Sequence, residues 1–309
     1  QIFVYSPEGE VLRKLGRRGG RIRFGPWKPD GMSVVYGLAV DSKGRVWAAE
    51  NDATPKRMSV WDGKTGAFVN EFLGPTHYGA SGAAINPLDP NLMIGEGCEF
   101  RIDPETGRAT FVGIAVHEIP FGAARYCVAN DGRLYLAGTF KRGCARQISI
   151  WERTGDATYK YRAVIRGDPG RKRTVFWSDI NGDQAAQRSE IYSYPAVLEI
   201  GGYENWSLNL NTDLSFYGAD RAAGKSYRIR VSGFTSCGAP RYEVDDPQVL
   251  PKLTAPLPSP DNKLVASCDY DKRFRCYDVE SGKLLWTYPN AYHGVHGSHY
   301  APGPAPGFI

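Results

Sequence analysis

The feature that most constrains the fold of this chain is a sequence repeat whose pattern predicts short strands and tight turns. Each copy has a turn, a short apolar strand, a second strand that ends near Asp, then a Thr-Gly or Ser-Gly turn and a third strand. The copies span residues 39–72, 85–114, 128–165 and 258–288. Short strands rich in Val, Ile, Tyr, Trp and Phe, bounded by Gly, Pro, Asn or Asp, predict β-hairpins, and no sustained helical period interrupts them.

A repeated four-stranded unit of about 40 to 45 residues is typical of a β-propeller, because one such sheet cannot bury both of its faces alone. We count six blades: the four copies, an irregular one across residues 171–246, and a composite one made of residues 1–16 and 292–309. Seven blades are the alternative, since the irregular stretch is long enough for two. Pairing the chain ends within the composite blade would close the ring without a free sheet edge. We therefore predict an all-β fold, a single β-propeller domain over residues 1–309 that belongs to a longer protein.

The first repeat, for example, reads AVDSKGRVWAAEND and then MSVWDGKTGAFVNEF. The sequence of the repeats resembles that of NHL-type and quinoprotein-like propellers over nearly the whole chain. The resemblance implies the fold and leaves the function open, because propellers host many unrelated activities. The WD40 class is disfavoured, since the Gly-His half of its signature is missing.

The segment DINGDQAAQRSE, residues 179–190, resembles the calcium loops of EF-hand and dockerin proteins. Oxygen donors stand at loop positions one, three, five and twelve, and position seven offers a backbone carbonyl, as Ca²⁺ requires. Gln184 stands at position six, where the family has Gly. The alternative is an Asx-rich turn that hydrogen-bonds its own backbone. The predicted calcium ligands are Asp179, Asn181, Asp183, Ala185 and Glu190.

All five histidines lie in loops that lead into the first strand of a repeat, which in a closed ring would surround one central funnel. Imidazoles gathered there predict a transition-metal centre, with Zn²⁺ or Mn²⁺ as examples. The alternative is that each histidine hydrogen-bonds a neighbouring carbonyl. His296, His299 and Tyr300 are the catalytic candidates, because they adjoin the closing strand. The predicted metal ligands are His77, His117, His293, His296 and His299.

The net charge of +5 is modest, but two runs of basic residues, RKLGRRGGRIR and RKR, lie between blades. They predict either an anion site or solvated loops. Nucleic acid is disfavoured, because no basic stripe is interleaved with aromatic residues. No apolar run is long enough to span a membrane. The candidate anion ligands are Arg17, Arg18, Arg21, Arg23, Arg171 and Arg173.

The six cysteines include no C-x-x-C pair, which excludes a zinc ribbon and a c-type haem attachment. Cys268 and Cys276 lie symmetrically about a turn, and they predict a cross-strand disulfide. An even count with one such bridge favours an extracytoplasmic location, and small buried thiols in a reducing cytosol are the alternative. The remaining cysteines, whose pairing is unassigned, are Cys98, Cys127, Cys144 and Cys237.

Two functions remain open from the sequence. The first is a calcium-braced binding or scaffolding module of a larger secreted protein, with other domains or subunits as partners. The second is a metal-dependent lyase or hydrolase that acts on an anionic carbohydrate or peptide. No G-x-S-x-G, H-E-x-x-H or phosphate loop is present to favour the enzyme.

Overall fold

A computed structural model describes residues 1–51, 54–74, 83–116, 124–139, 147–200, 210–245, 249–254, 256–268 and 273–288. In these ranges the regular structure is antiparallel β-sheet, with 3₁₀ turns at Pro169–Arg171 and Arg188–Glu190. The all-β class predicted from the sequence is confirmed. Among the described residues, no helix has the length and apolar character needed to cross a membrane.

The chain divides into two compact units, one of residues 1–124 and 153–159 and one of residues 125–152 and 160–309. The strands of the first unit are β1 (Ile2–Tyr5), β2 (Val11–Leu15), β3 (Gly25–Pro26), β4 (Val35–Val40), β5 (Arg45–Glu50), β6 (Arg57–Asp62), β7 (Phe68–Leu73), β8 (Ala83–Asn86), β9 (Asp89–Gly95), β10 (Cys98–Asp103) and β11 (Arg108–Ile114).

The later strands are β12 (Ala124–Val128), β13 (Leu134–Thr139), β14 (Gln147–Gly155), β15 (Thr158–Asp168), β16 (Arg173–Ser178), β17 (Ile191–Tyr194), β18 (Leu198–Ile200), β19 (Phe216–Asp220), β20 (Lys225–Phe234), β21 (Pro240–Val244), β22 (Leu257–Pro258), β23 (Leu264–Cys268), β24 (Phe274–Asp278) and β25 (Leu284–Thr287). The tip of the β14–β15 hairpin is grouped with the first unit.

In the first unit, each complete repeat forms one sheet whose strands follow chain order. Strands β4 to β7 make a four-stranded sheet, and β8 to β11 make a second one that β3 extends beside β11. Burial alternates along β5, as expected of a strand with one buried face. That face contributes Val46 to a core cluster with Leu15, Met32 and Trp61. Strands β1 and β2 pair only with each other among the described residues.

In the second unit, the stretch predicted as one irregular blade is shared between two sheets. Strands β16 and β17 extend the sheet that β12 to β15 begin, giving six strands in chain order. Strands β18 to β21 form a four-stranded sheet of their own, and β22 to β25 form another. The blade count and the closure of a ring stay predictions.

The register of the β23–β24 hairpin corrects the predicted disulfide. Cys268 lies opposite Phe274, and Cys276 lies opposite Ala266, so the two cysteines are not directly opposed. The hairpin turn is centred one residue earlier than the midpoint between the two cysteines. Each cysteine therefore lies two positions away from the residue that is directly opposite the other. Cys276 carries a free thiol, as do Cys98, Cys127 and Cys237.

Candidate functional site: the Asp179–Glu190 loop

The predicted calcium loop connects two antiparallel strands of the six-stranded sheet. It begins where β16 ends at Ser178 and finishes where β17 begins, and Trp177 lies opposite Ile191 across its base. Gln184 has a φ of 61°, in the left-handed region that favours Gly. Position six therefore has a positive φ, as a Gly there would allow, although its residue type differs.

Side-chain to backbone hydrogen bonds fold the first half of the loop. Oδ1 of Asp179 accepts from the backbone N–H groups of Gly182 at 2.9 Å and Gln184 at 3.2 Å. Oδ1 of Asp183 accepts from the N–H of Ala185 at 2.8 Å, and this bond lowers the pKa of Asp183. Asp and Asn favour such turns, which explains why this sequence forms a tight loop and not a continued strand.

The carboxylate of Glu190, at position twelve, faces back into the loop. Its Oε1 accepts from the N–H of Ile180 at 2.9 Å, and its Oε2 accepts from Trp177 Nε1 at 2.9 Å and from the N–H of Gln187 at 3.2 Å. Burial raises the pKa of Glu190, but the bonds from Trp177 and the backbone outweigh it and lower the pKa overall. Glu190 therefore stays ionised and closes the loop by satisfying its N–H groups.

A buried arginine stands beside the position-one carboxylate. Nη1 of Arg162, on β15, lies 2.8 Å from Oδ2 of Asp179, and its Nη2 lies 2.7 Å from Oε2 of Glu152. The side chains of Arg162, Asp179 and Glu152 are 4%, 0% and 15% exposed. Charge-assisted bonds in such a dry place are strong, so they fix the start of the loop to the sheet.

The backbone carbonyl of Asp179 is held as well. Thr235 Oγ1 lies 3.2 Å from it and Cys237 Sγ lies 2.9 Å from it, and both groups donate. The first residue of the loop is thus fixed through its side chain and its main chain before any ligand is considered.

Four of the five expected ligands, Asp179, Asn181, Asp183 and Glu190, already accept hydrogen bonds from donors within the protein. Within the described ranges, no three His, Cys, Asp or Glu side chains form a group arranged to hold a metal ion. Calcium binding by the loop stays a prediction. The five expected ligands are Asp179, Asn181, Asp183, Ala185 and Glu190.

No protein-family model matches the chain, and no curated protein sequence matches it. Among solved structures, the chain is similar to the β-propeller domain of Cps50 (Swd1) from Myceliophteria thermophila, with 11% sequence identity and a TM-score of 0.38. The match covers 83% of this chain and 86% of that chain. The chain is also similar to a protein from Lactobacillus plantarum, with 12% identity, 84% and 86% coverage, and a TM-score of 0.33. Neither similarity bears on the residues of the loop.

The predicted transition-metal centre cannot be placed in the structure. The histidines at 77, 117, 293, 296 and 299 and Tyr300 lie outside the described residues, as does Cys144. The transition-metal centre and its catalytic candidates therefore stay predictions.

The candidate anion ligands are mostly engaged already. Arg21 is buried: its side chain is 2% exposed, lies 3.5 Å from Glu50 and donates to the backbone carbonyls of Thr54 and Pro55. Arg17 lies 3.3 Å from Asp30. Arg171 and Arg173 each lie 3.9 Å from Asp168, and Arg18 and Arg23 are exposed to solvent. Anion binding by this set of residues stays a prediction.

One exposed apolar strand was not predicted from the sequence. Strand β4 is an edge of its four-stranded sheet within the described part of the chain. Val34, just before it, and Tyr36, Leu38 and Val40 within it are 58%, 75%, 56% and 70% exposed; we call these four residues the β4 strip. The strand sequence VYGLAV carries no charge and no proline, and this was the signal available in advance.

Proposed function

We propose that the chain is a binding module of the β-propeller type that captures an extended apolar peptide along strand β4. The repeated four-stranded sheets in chain order support a propeller, because such units need neighbouring sheets to bury their faces. The exposed β4 strip is the observation that carries the binding function.

Within the described residues, the β4 edge has a register irregularity between Val35 and Gly37, but it has no charge and no proline to protect it. Natural sheets protect their edges with charged residues, proline, bulges or covering elements, because free N–H and C=O groups pair readily with another strand. The β4 strip has apolar side chains that are more than half exposed and no charge among them. A peptide strand added to this edge would gain main-chain hydrogen bonds and bury its apolar side chains against the strip.

The ion pair next to β4 is already formed, which favours an uncharged ligand at that end of the strand. Asp41 follows the strand directly, and its Oδ2 accepts from Arg45 Nε at 2.7 Å and from Trp47 Nε1 at 3.0 Å. Neither group is therefore available to recognise a charged peptide end. The partner chemistry that fits the strip is an extended segment rich in Val, Ile, Leu and aromatic residues.

Selection from a displayed library of random linear peptides on the immobilised chain tests the proposal. We expect apolar, β-prone peptides to be enriched. Leu38→Lys should weaken the binding of the selected peptides by about tenfold or more, because it places a charge where the bound peptide would bury an apolar side chain. Val69→Lys is the matched control: it lies on β7, the opposite edge of the same sheet, and is 47% exposed. Failure to enrich peptides, or equal affinity for wild type and Leu38→Lys, would overturn the proposal.

A further inference from the structure

The resemblance of the Asp179–Glu190 loop to calcium loops implies a cation close to its carboxylates. Asp179, Asp183 and Glu190 bring three negative charges into twelve residues. In a calcium loop the ion offsets such charges and takes oxygens from positions one, five and twelve. The local backbone suits that role, since Gln184 has the left-handed conformation expected at position six. Arg188 also lies in this segment, but it is exposed, whereas the carboxylates of Asp179 and Glu190 are buried and need positive charge or donors close by.

The structure contains positive charge at the position-one carboxylate. Arg162 Nη1 lies 2.8 Å from Asp179 Oδ2, while Oδ1 of the same carboxylate accepts two N–H groups of the loop. Both charged side chains are buried, and Glu152 engages the other edge of the guanidinium. A calcium ion would have to compete with Arg162 for Asp179 Oδ2.

The position-twelve carboxylate is equally committed. Both oxygens of Glu190 accept hydrogen bonds, from Ile180 and Gln187 of the loop and from the indole of Trp177. Bidentate binding to calcium would require these three donors to give up their acceptor. The bond from Trp177 Nε1 is buried, and a buried donor without a partner is costly, so the exchange is unfavourable.

We propose that the guanidinium of Arg162 is the built-in cation of this loop, so that the loop folds without calcium. An arginine suits this role because its planar fork contacts two carboxylates at once and is always charged. Burial lowers the pKa of Arg162, but Glu152 and Asp179 outweigh it and raise the pKa overall. Unlike a bound ion, the guanidinium is independent of calcium concentration.

Terbium binding by the wild-type chain gives the first test, because Trp177, which contacts Glu190, would sensitise the luminescence of Tb³⁺ in this loop. We expect EDTA-treated protein to show no sensitised signal beyond that of Asp183→Ala, and its Tm to change by less than about 1 °C on adding millimolar CaCl₂. A one-to-one terbium signal that Asp183→Ala abolishes, or a calcium-dependent rise in Tm that this variant lacks, would overturn the proposal.

Removing the built-in cation gives the second test. Arg162→Met keeps the length of the side chain without its charge, and we expect it to lower the Tm in EDTA by about 5 to 8 °C. Calcium should then recover part of that loss, because an ion can enter where the guanidinium was. Arg166→Met is the control, since Arg166 lies on the same strand and is exposed. An unchanged Tm, or a loss that calcium leaves unaltered, would overturn the proposal; if Arg162→Met does not fold, the terbium titration still decides.

Discussion

Replacing Glu99 by Gln tests how the tip of the β14–β15 hairpin is held within the first unit. Glu99 is fully buried on β10. Its Oε1 accepts from Arg153 Nη2 at 2.8 Å and from the N–H of Ala157 at 2.9 Å. Its Oε2 accepts from Arg153 Nε at 3.1 Å and from the hydroxyl of Tyr159 at 2.6 Å. One carboxylate therefore satisfies four donors from three residues of the hairpin tip.

Gln offers one acceptor oxygen where these four donors need two, and its amide would point N–H groups at existing donors. Breaking a buried charge pair costs about 3 to 5 kcal/mol. Because Arg153 keeps a second partner in Asp156 at 2.8 Å, we expect the lower end, about 3 kcal/mol. For a chain of 309 residues, that loss corresponds to a fall in Tm of about 5 °C.

Denaturant unfolding followed by tryptophan fluorescence, together with calorimetry, measures this loss. Glu105→Gln, in the exposed turn between β10 and β11, is the control and should change stability by less than about 0.5 kcal/mol. A loss below about 1 kcal/mol for Glu99→Gln would show that the hairpin tip does not depend on the carboxylate.

Three further predictions follow from buried groups. Cys237 is partly exposed and should react with iodoacetamide at pH 8 well before Cys127, because burial raises the pKa of the Cys127 thiol to about 11. Peptide mapping by mass spectrometry measures the order of reaction, and equal rates would contradict the prediction. Wild type should have a higher Tm than Glu190→Gln at pH 7, and this difference should shrink as the pH falls below about 4. The reason is that a carboxyl whose pKa is lowered in the folded state loses its contribution to stability when it is protonated. A difference in Tm that is independent of pH would refute this prediction. Arg57→Met should cost about 3 kcal/mol in denaturant unfolding, since its 0% exposed side chain pairs with Glu50 at 3.0 Å, and a neutral result would count against that network.

The sheets could be predicted because their signals are local. Strand β5 alternates buried and half-buried residues, and Asp62 begins a turn by accepting from the N–H groups of Lys64 and Thr65. Such turn chemistry is legible from the residue types alone. The exact register is not, because it depends on which residues close the turn, and the prediction of a Cys268–Cys276 bridge failed on a difference of two positions.

The candidate site could be predicted only in part, for the same reason. The loop itself was found, because Asp179, Asn181 and Asp183 are close in sequence and their turn chemistry is local. Arg162 was missed, since it reaches Asp179 across the pairing of β15 with β16, 17 residues away in the chain. The burial of Arg21 beside Glu50 is equally non-local, and a run of basic residues cannot reveal it.

The binding function is tested most directly by hydrogen–deuterium exchange of the chain with and without a peptide selected from the library. The proposed strand addition predicts slower exchange of amides in β4 when peptide is present, because the free edge of that strand would become hydrogen-bonded. Protection should be absent from β7, the opposite edge of the same sheet. Protection confined to other sheets, with β4 unchanged, would contradict a binding site on this strand.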